Sequence, residues 1–284
     1  MHGILWMLFS TMWMASMHAA VRHVSDRLHP FEIAFFASLF GMLVVLPSFA
    51  RSGMALLRTG RLAMHGVRAV FHVISMLAYF YALGVAPLAL VTALAFTGPV
   101  FAIALAVPMF GERINGVRWL ALLIGFTGIL VVLRPGFAEM DTGGLVALFA
   151  AMFFSGVLVV TKSLSRTESS LTITAYMLLL MVPMSLIPAL FVWQWPDGET
   201  FLWLVFIGVS SATGRLFLAQ ALKKAPVHVV MPVDFCRLIW VTGLGFFIFG
   251  DAPDPFSWAG GAMILGSAAA VAYWERRIAK QDST

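Results

Sequence analysis

Apolar residues in this chain fall in blocks of about twenty, separated by short polar connections. The blocks run approximately over 3–21, 31–50, 66–84, 88–110, 117–133, 143–164, 171–193, 200–222, 226–250 and 256–274. A helix needs about 20 mostly apolar residues to cross a hydrocarbon core. Pro30, Pro87, Pro135, Pro226 and Pro255 sit at block edges, where the missing N–H costs a helix little. Strands of a membrane barrel would be about ten residues of alternating polarity, a pattern these blocks lack. The prediction is an all-α polytopic membrane protein with ten transmembrane helices. The opening segment MHGILWMLFSTMWM has no basic leader region and is expected to be a retained first span.

Composition agrees with a bilayer as solvent. Hydrophobic residues make up 61% of the 284 and charged residues 11%, against roughly 25% charged in a globular protein. The net charge of +5 does not point to nucleic acid, because the basic residues are scattered between apolar blocks without a tract. They do sort by side. With a cytoplasmic N-terminus, thirteen Lys and Arg residues of the loops and block ends fall inside and only Arg22, Arg27 and Arg134 outside. The positive-inside rule then places both termini in the cytoplasm. Cys236, the sole cysteine, forms no intramolecular disulfide and is expected to be a small core residue.

The two halves repeat. A shift of 139 residues pairs Pro87 with Pro226, Phe96 with Phe235, Phe110-Gly111 with Phe249-Gly250, Glu112 with Asp251 and Trp119 with Trp258. This divides the chain into 1–138 and 139–284, with five spans each. An odd number of spans makes the halves enter the membrane in opposite directions, the architecture of many secondary transporters.

The segment PVFAIALAVPMFGERINGVRWLALLIGFTGILVVLRPG, echoed loosely by FFIFGDAPDPFSWAGGAMILGSAAAVAYWERR, resembles the end of a five-helix half in the EamA family of the drug/metabolite transporter superfamily. Within it, the chain looks most like bacterial aromatic amino acid exporters of the YddG type. The resemblance implies a basket of helices around a central cavity, with the fifth and tenth helices peripheral.

Polar groups inside spans are costly and face the protein interior or a wet cavity. In span 3, Arg68, His72, Ser75 and Tyr79 share one helical face by their spacings of 4, 3 and 4. This stripe is expected to line the cavity, with Arg68 snorkelling at the interface; interhelical hydrogen bonds are the alternative for Ser75 and Tyr79. In span 9, Asp234 and Arg237 share a face and fit either a structural ion pair or a clamp for a zwitterionic substrate. Arg215 in span 8 either snorkels or lines the pathway. Trp13 shares a face of span 1 with Trp6 and Ser10. Gly98-Pro99 and Pro232 are candidate hinges or packing kinks. Ala262, Gly266 and Ala270 form a row of small residues that fits a helix-packing or homodimer face.

No H-E-x-x-H, G-x-S-x-G or P-loop motif occurs, and no cofactor or metal is expected. The function expected is not enzymatic: an inner-membrane secondary transporter exporting small metabolites, aromatic amino acids foremost, by alternating access. A nucleoside-like, flavin-like or cationic solute is the alternative cargo, and an intramembrane enzyme or lipid scramblase the alternative class. The partners expected are a small-molecule substrate and the lipid bilayer, with a homodimer compatible and nucleic acid not.

Overall fold

The computed structural model describes residues 2–52, 58–98, 101–102, 104–105, 116–133, 142–224, 233–234, 236–252 and 255–281. Among these residues there are ten α-helices and no strand. They are α1 (His2–Val24), α2 (Pro30–Ser52), α3 (Leu62–Val85), α4 (Leu88–Ala95), α5 (Gly116–Leu133), α6 (Thr142–Leu164), α7 (Ser170–Leu190), α8 (Gly198–Lys224), α9 (Cys236–Phe249) and α10 (Pro255–Gln281). The candidate hinges Pro99 and Pro232, the edge prolines Pro135 and Pro226, and Glu112 and Arg134 lie outside the described residues.

Local chemistry starts the helices where the sequence breaks predict. Pro30 opens α2 and Pro255 opens α10. The Ser169 hydroxyl caps α7 by accepting from the Thr172 N–H at 3.1 Å. Asp197 does the same for α8, accepting from the Thr200 N–H at 2.8 Å. Pro183 and Pro188 lie within α7, whose helix runs on through both.

Six helices (α1, α2, α3, α6, α7 and α8) contain stretches long and apolar enough to cross a membrane by themselves, and α9 is a shorter apolar helix. Large apolar side chains such as Leu120, Leu123 and Phe126 on α5 are exposed on the outside of the bundle. In water such a surface would be a liability; in lipid it is solvated.

The helix pairing shows the inverted repeat directly. The most extensive packing is α1 along α8 and α3 along α6. The 139-residue shift carries α1 onto α6 and α3 onto α8, so each contact is the image of the other. The α2–α7 and α5–α10 contacts map onto themselves. One polar detail repeats as well. The Ser10 hydroxyl on α1 donates to the Gly214 carbonyl on α8 at 2.8 Å, and the Ser75 hydroxyl on α3 donates to the Ala150 carbonyl on α6 at 2.8 Å. Gly214 is 139 residues after Ser75 and Ala150 is 140 after Ser10. The same two points of the scaffold are thus bridged twice, with donor and acceptor reversed.

The pairing is unequal elsewhere, and the inequality gives the bundle two different ends. α2 packs on α3, whereas α7 makes little contact with α8. At Gly208, α8 lies so close to α2 that a Cβ would collide with the Phe40 side chain and stand 3.0 Å from the Gly41 nitrogen. The start of α1 packs on the end of α8, with Trp6 and Phe217 ring centroids 5.1 Å apart. Ten alternating helices bring the end of α10 to that same side, called here the terminal end; the other is the distal end.

Candidate translocation site

A cavity of about 770 Å³ lies between α1, α2, α3, α7 and α8. Its wall runs from Lys223, Gln220, Thr174 and Val45 at the terminal end inward to Met17, Ala37 and Phe80. α8 contributes Ser211, Arg215, Ala219 and Lys223, four residues apart each time and therefore on one face. α7 contributes Thr174, Met177, Leu178 and Met181, and α2 contributes Ala37, Ser38, Gly41 and Val45. Met17, Met76, Met177 and Met181 give much of the wall a soft, polarizable character. The volume lies within the roughly 300–1,000 Å³ of sites for drug-sized ligands.

The distal end is bridged by polar contacts. Arg22 of α1 makes a two-pronged ion pair with Asp251, its Nη2 donating to Oδ1 at 3.1 Å. Asp251 is aimed there by the end of α9: Gly250 takes φ +72°, the left-handed conformation that glycine adopts at a helix terminus. The Asp251 N–H then donates to the Gly245 carbonyl at 3.0 Å, and the Leu88 N–H reaches the Asp251 carboxylate at 3.4 Å. The Arg22 guanidinium also covers the Phe249 ring at 4.6 Å. Beside it, the Gln194 N–H donates to the buried Glu32 at 2.7 Å, and Trp193 packs against Phe35 and Phe36. An outer, exposed pair joins Arg27 to Glu199 at 2.7 Å.

The sequence-predicted residues divide among three places. Arg215 alone of them lines the cavity. Tyr79, Asp234 and Arg237 join a second cluster deeper in the bundle. There the Arg237 guanidinium pairs with Asp234 at 3.2 Å and lies 4.8 Å over the Phe96 ring. The Tyr79 hydroxyl meets His18 at 3.4 Å, and Arg237 is within Coulombic reach of both. Asp234 and Arg237 satisfy each other here, although the Arg237 Nε remains buried without a partner.

The remaining residues lie between helices. Ser75 is buried and committed to Ala150. The His72 ring meets Phe154 of α6 at 6.3 Å, edge to face. Trp13 packs on Phe206, which continues through Trp203 to His23 along the α1–α8 contact. Gly98 is buried against α6, where a Cβ would stand 3.3 Å from Phe154. Arg68 does not snorkel: it is buried, with Nε donating to Thr161 at 2.6 Å and Nη1 to the Ile173 carbonyl at 3.4 Å. Most of the polar stripe of α3 is therefore taken up in contacts with α6, and the cavity face of that helix is Met76 and Phe80.

Residues that sequence reasoning left out include His18, Ser38, Gln220 and Lys223. The four-residue row from Ser211 to Lys223 was a readable signal for the last. His18 carried none, since its partner Tyr79 lies 61 residues away. Among the described residues no cluster of three or more His, Cys, Asp or Glu side chains could hold a metal.

Comparison with known proteins agrees with this architecture. A solved crystal structure superposes with a TM-score of 0.61 at 22% identity, covering 98% of this chain and 96% of that one, a likeness of fold alone. The chain is 30% identical to a riboflavin transporter of Vibrio cholerae, over 99% of this chain and 96% of that one. It is 27% identical to an S-adenosylmethionine uptake transporter of Rickettsia prowazekii, over 98% and 94%. It is also 31% identical to the pseudopaline exporter CntI of Pseudomonas aeruginosa, over 93% of each. None of these three is named for amino acids. The model of the EamA-like transporter family matches twice, at residues 1–134 and 141–273, and with two such copies forming an all-helical bundle the chain belongs to that family of membrane transporters.

Proposed function

We propose that this protein carries a small organic solute across the bacterial inner membrane by alternating access, and that the cavity is its inward-facing form. The observation that carries the reading is the contrast between the ends: a cavity runs inward from the terminal end, while Arg22–Asp251 and the Glu32–Gln194 contact close the distal end. The repeats correspond to 1–138 and 139–284. Exchange of their conformations would open the distal end and close the terminal one. The terminal end is cytoplasmic because the basic residues gather there. On this reading the path runs from Lys223 and Arg215 towards Tyr79, His18 and the Asp234–Arg237 pair.

For cargo, the size and methionine-rich wall of the cavity favour a flavin- or nucleoside-sized solute. Export of aromatic amino acids draws support from the family resemblance and from a zwitterion matching Asp234 and Arg237. It is weakened by those two groups already satisfying each other. The test is exchange in proteoliposomes, with labelled riboflavin, flavin mononucleotide, a nucleoside and tryptophan inside and out. Saturable exchange of one is expected; ohmic conductance with simultaneous access from both sides would make the protein a pore and end the alternating-access reading. Orientation is checked with cysteines at positions 52 and 197: an impermeant thiol reagent should label only the second in intact cells.

A further inference from the structure

Within the cavity the charges are all of one sign. Arg215 and Lys223 both line it, and no lining residue among those described is acidic. Eight residues of α8 separate the two, so Arg215 lies about 12 Å deeper than Lys223. Behind the wall, Arg68 is buried, with only neutral partners among the described residues, Thr161, the Ile173 carbonyl and the Met177 sulfur, and lies within Coulombic reach of Arg215. Arg215 has no carboxylate partner among the described residues. It is not a lipid-facing anchor either, since Ser211 and Ala219, four residues on either side, face the same cavity. Its side chain is exposed, in the wall of this cavity, so its charge is open to whatever enters. A function that supplies its counter-charge would explain it.

We infer that the cargo is an amphipathic organic anion, carrying a carboxylate or phosphate that Arg215 binds. Its apolar body lies against Met17, Met76, Met181 and Phe80. Lys223 at the mouth draws the anion in, and the charge-assisted fork of Arg215 holds it deeper. Ser211 supplies a neutral hydrogen bond, and the Ser38 hydroxyl, which donates to the Ala34 carbonyl at 2.8 Å, can accept one. A cationic solute would meet two like charges in a low-dielectric wall and be rejected. This rests on the transporter reading above and narrows it to a charge class.

The experiment uses the full-length protein in detergent and in vesicles of phosphatidylcholine, a lipid without net charge. Matched probes separate charge from shape: flavin mononucleotide against riboflavin for phosphate, and indole-3-acetate against indole-3-acetamide and tryptamine for carboxylate. Binding, by calorimetric titration, should favour an anion over its neutral partner by about tenfold or more, the scale of one charge-assisted contact. Tryptamine should bind weakest. Arg215→Gln should erase the preference, Arg215→Lys should keep most of it, and Lys223→Gln should reduce it less; thermal unfolding verifies that each variant is folded. A preference in either matched pair supports the inference and identifies the anionic group. It is overturned if neutral or cationic probes bind as well as the anions, or if the preference survives Arg215→Gln. It is also overturned if phosphatidylglycerol, and no soluble anion, binds in an Arg215-dependent way, since the site would then hold a lipid headgroup. Exchange of neutral solutes without anions sinks the anion class and leaves the transporter; anion binding without exchange of any solute sinks the transporter and leaves the site.

Discussion

Two arginines within the span of this protein, Arg237 and Arg215, meet opposite surroundings. Arg237 has Asp234 one turn away at 3.2 Å, an aromatic face at 4.8 Å, and Tyr79 and His18 nearby. Arg215 has a cavity, serines and a lysine two turns along its own helix. Bilayer energetics treat the two alike as residues and very differently as sites. A charge whose counter-charge is built into the fold serves the fold. One whose counter-charge is missing from the fold is available to something that enters.

The largest effect should come from breaking the built pair. Asp234→Ala leaves the Arg237 guanidinium unpaired, and thermal unfolding should show a loss of about 2–3 kcal/mol, below the figure for a fully buried pair because both side chains are partly exposed. Replacing both residues with leucine and methionine should recover most of it. Arg215→Gln should cost under about 1 kcal/mol, because no partner is orphaned. Equal losses for the two arginine sites would collapse the distinction between them.

The next effect concerns the closed end. In a Cys236→Ser background, a cysteine replacing Ala37 in the cavity wall should react from the terminal side only. Adding Asp251→Asn removes the charge that holds Arg22 and should raise its reactivity from the distal side by about fivefold, a shift of about 1 kcal/mol between the two forms. Unchanged distal reactivity would mean that the Trp193–Phe35–Phe36 packing alone closes that end.

A smaller effect tests the symmetry. Ser10→Ala and Ser75→Ala should each cost about 1 kcal/mol in stability, one interhelical hydrogen bond apiece. Ser75→Ala should leave solute affinity unchanged if the hydroxyl serves packing. A specific loss of affinity would return Ser75 to the cargo path.

The smallest effects belong to the exposed rim. Glu199→Gln breaks the pair with Arg27 and should not measurably move the melting temperature in physiological salt. The Asp197 carboxyl is held below the usual aspartate range, first by its hydrogen bonds with Thr200 and then by Arg27. A depressed value means the cap contributes above the ordinary aspartate pKa and is lost as pH falls through the lowered one. Acid titration of stability should therefore lose that component in Asp197→Asn, and an unchanged acid profile would remove the cap from the account.

The fold was legible because lipid imposes a one-dimensional rule: about twenty apolar residues, a polar break, and basic residues on one side. Ten blocks, the helix-opening prolines and the 139-residue echo from Pro87/Pro226 to Trp119/Trp258 all follow from spacing along the chain. The shared face of Asp234 and Arg237 and the row from Ser211 to Lys223 follow from helical periodicity in the same way.

What periodicity by itself left open is what each face meets. Arg68, His72 and Ser75 lie on one stripe by sequence, yet Ser75 bonds Ala150, His72 meets Phe154 and Arg68 is held by Thr161 and Ile173, because α6 packs along that side of α3. Trp13 meets Phe206 because α8 packs along α1. Arg215 faces a cavity only because α7 and α8, neighbours in sequence, stand apart where their symmetry mates α2 and α3 touch. Helix identity and position in the bilayer are local properties of the chain and can be read from it. The partner of a side chain, and whether a charge is satisfied, depends on helices from 61 to 229 residues away, and only packing decides that.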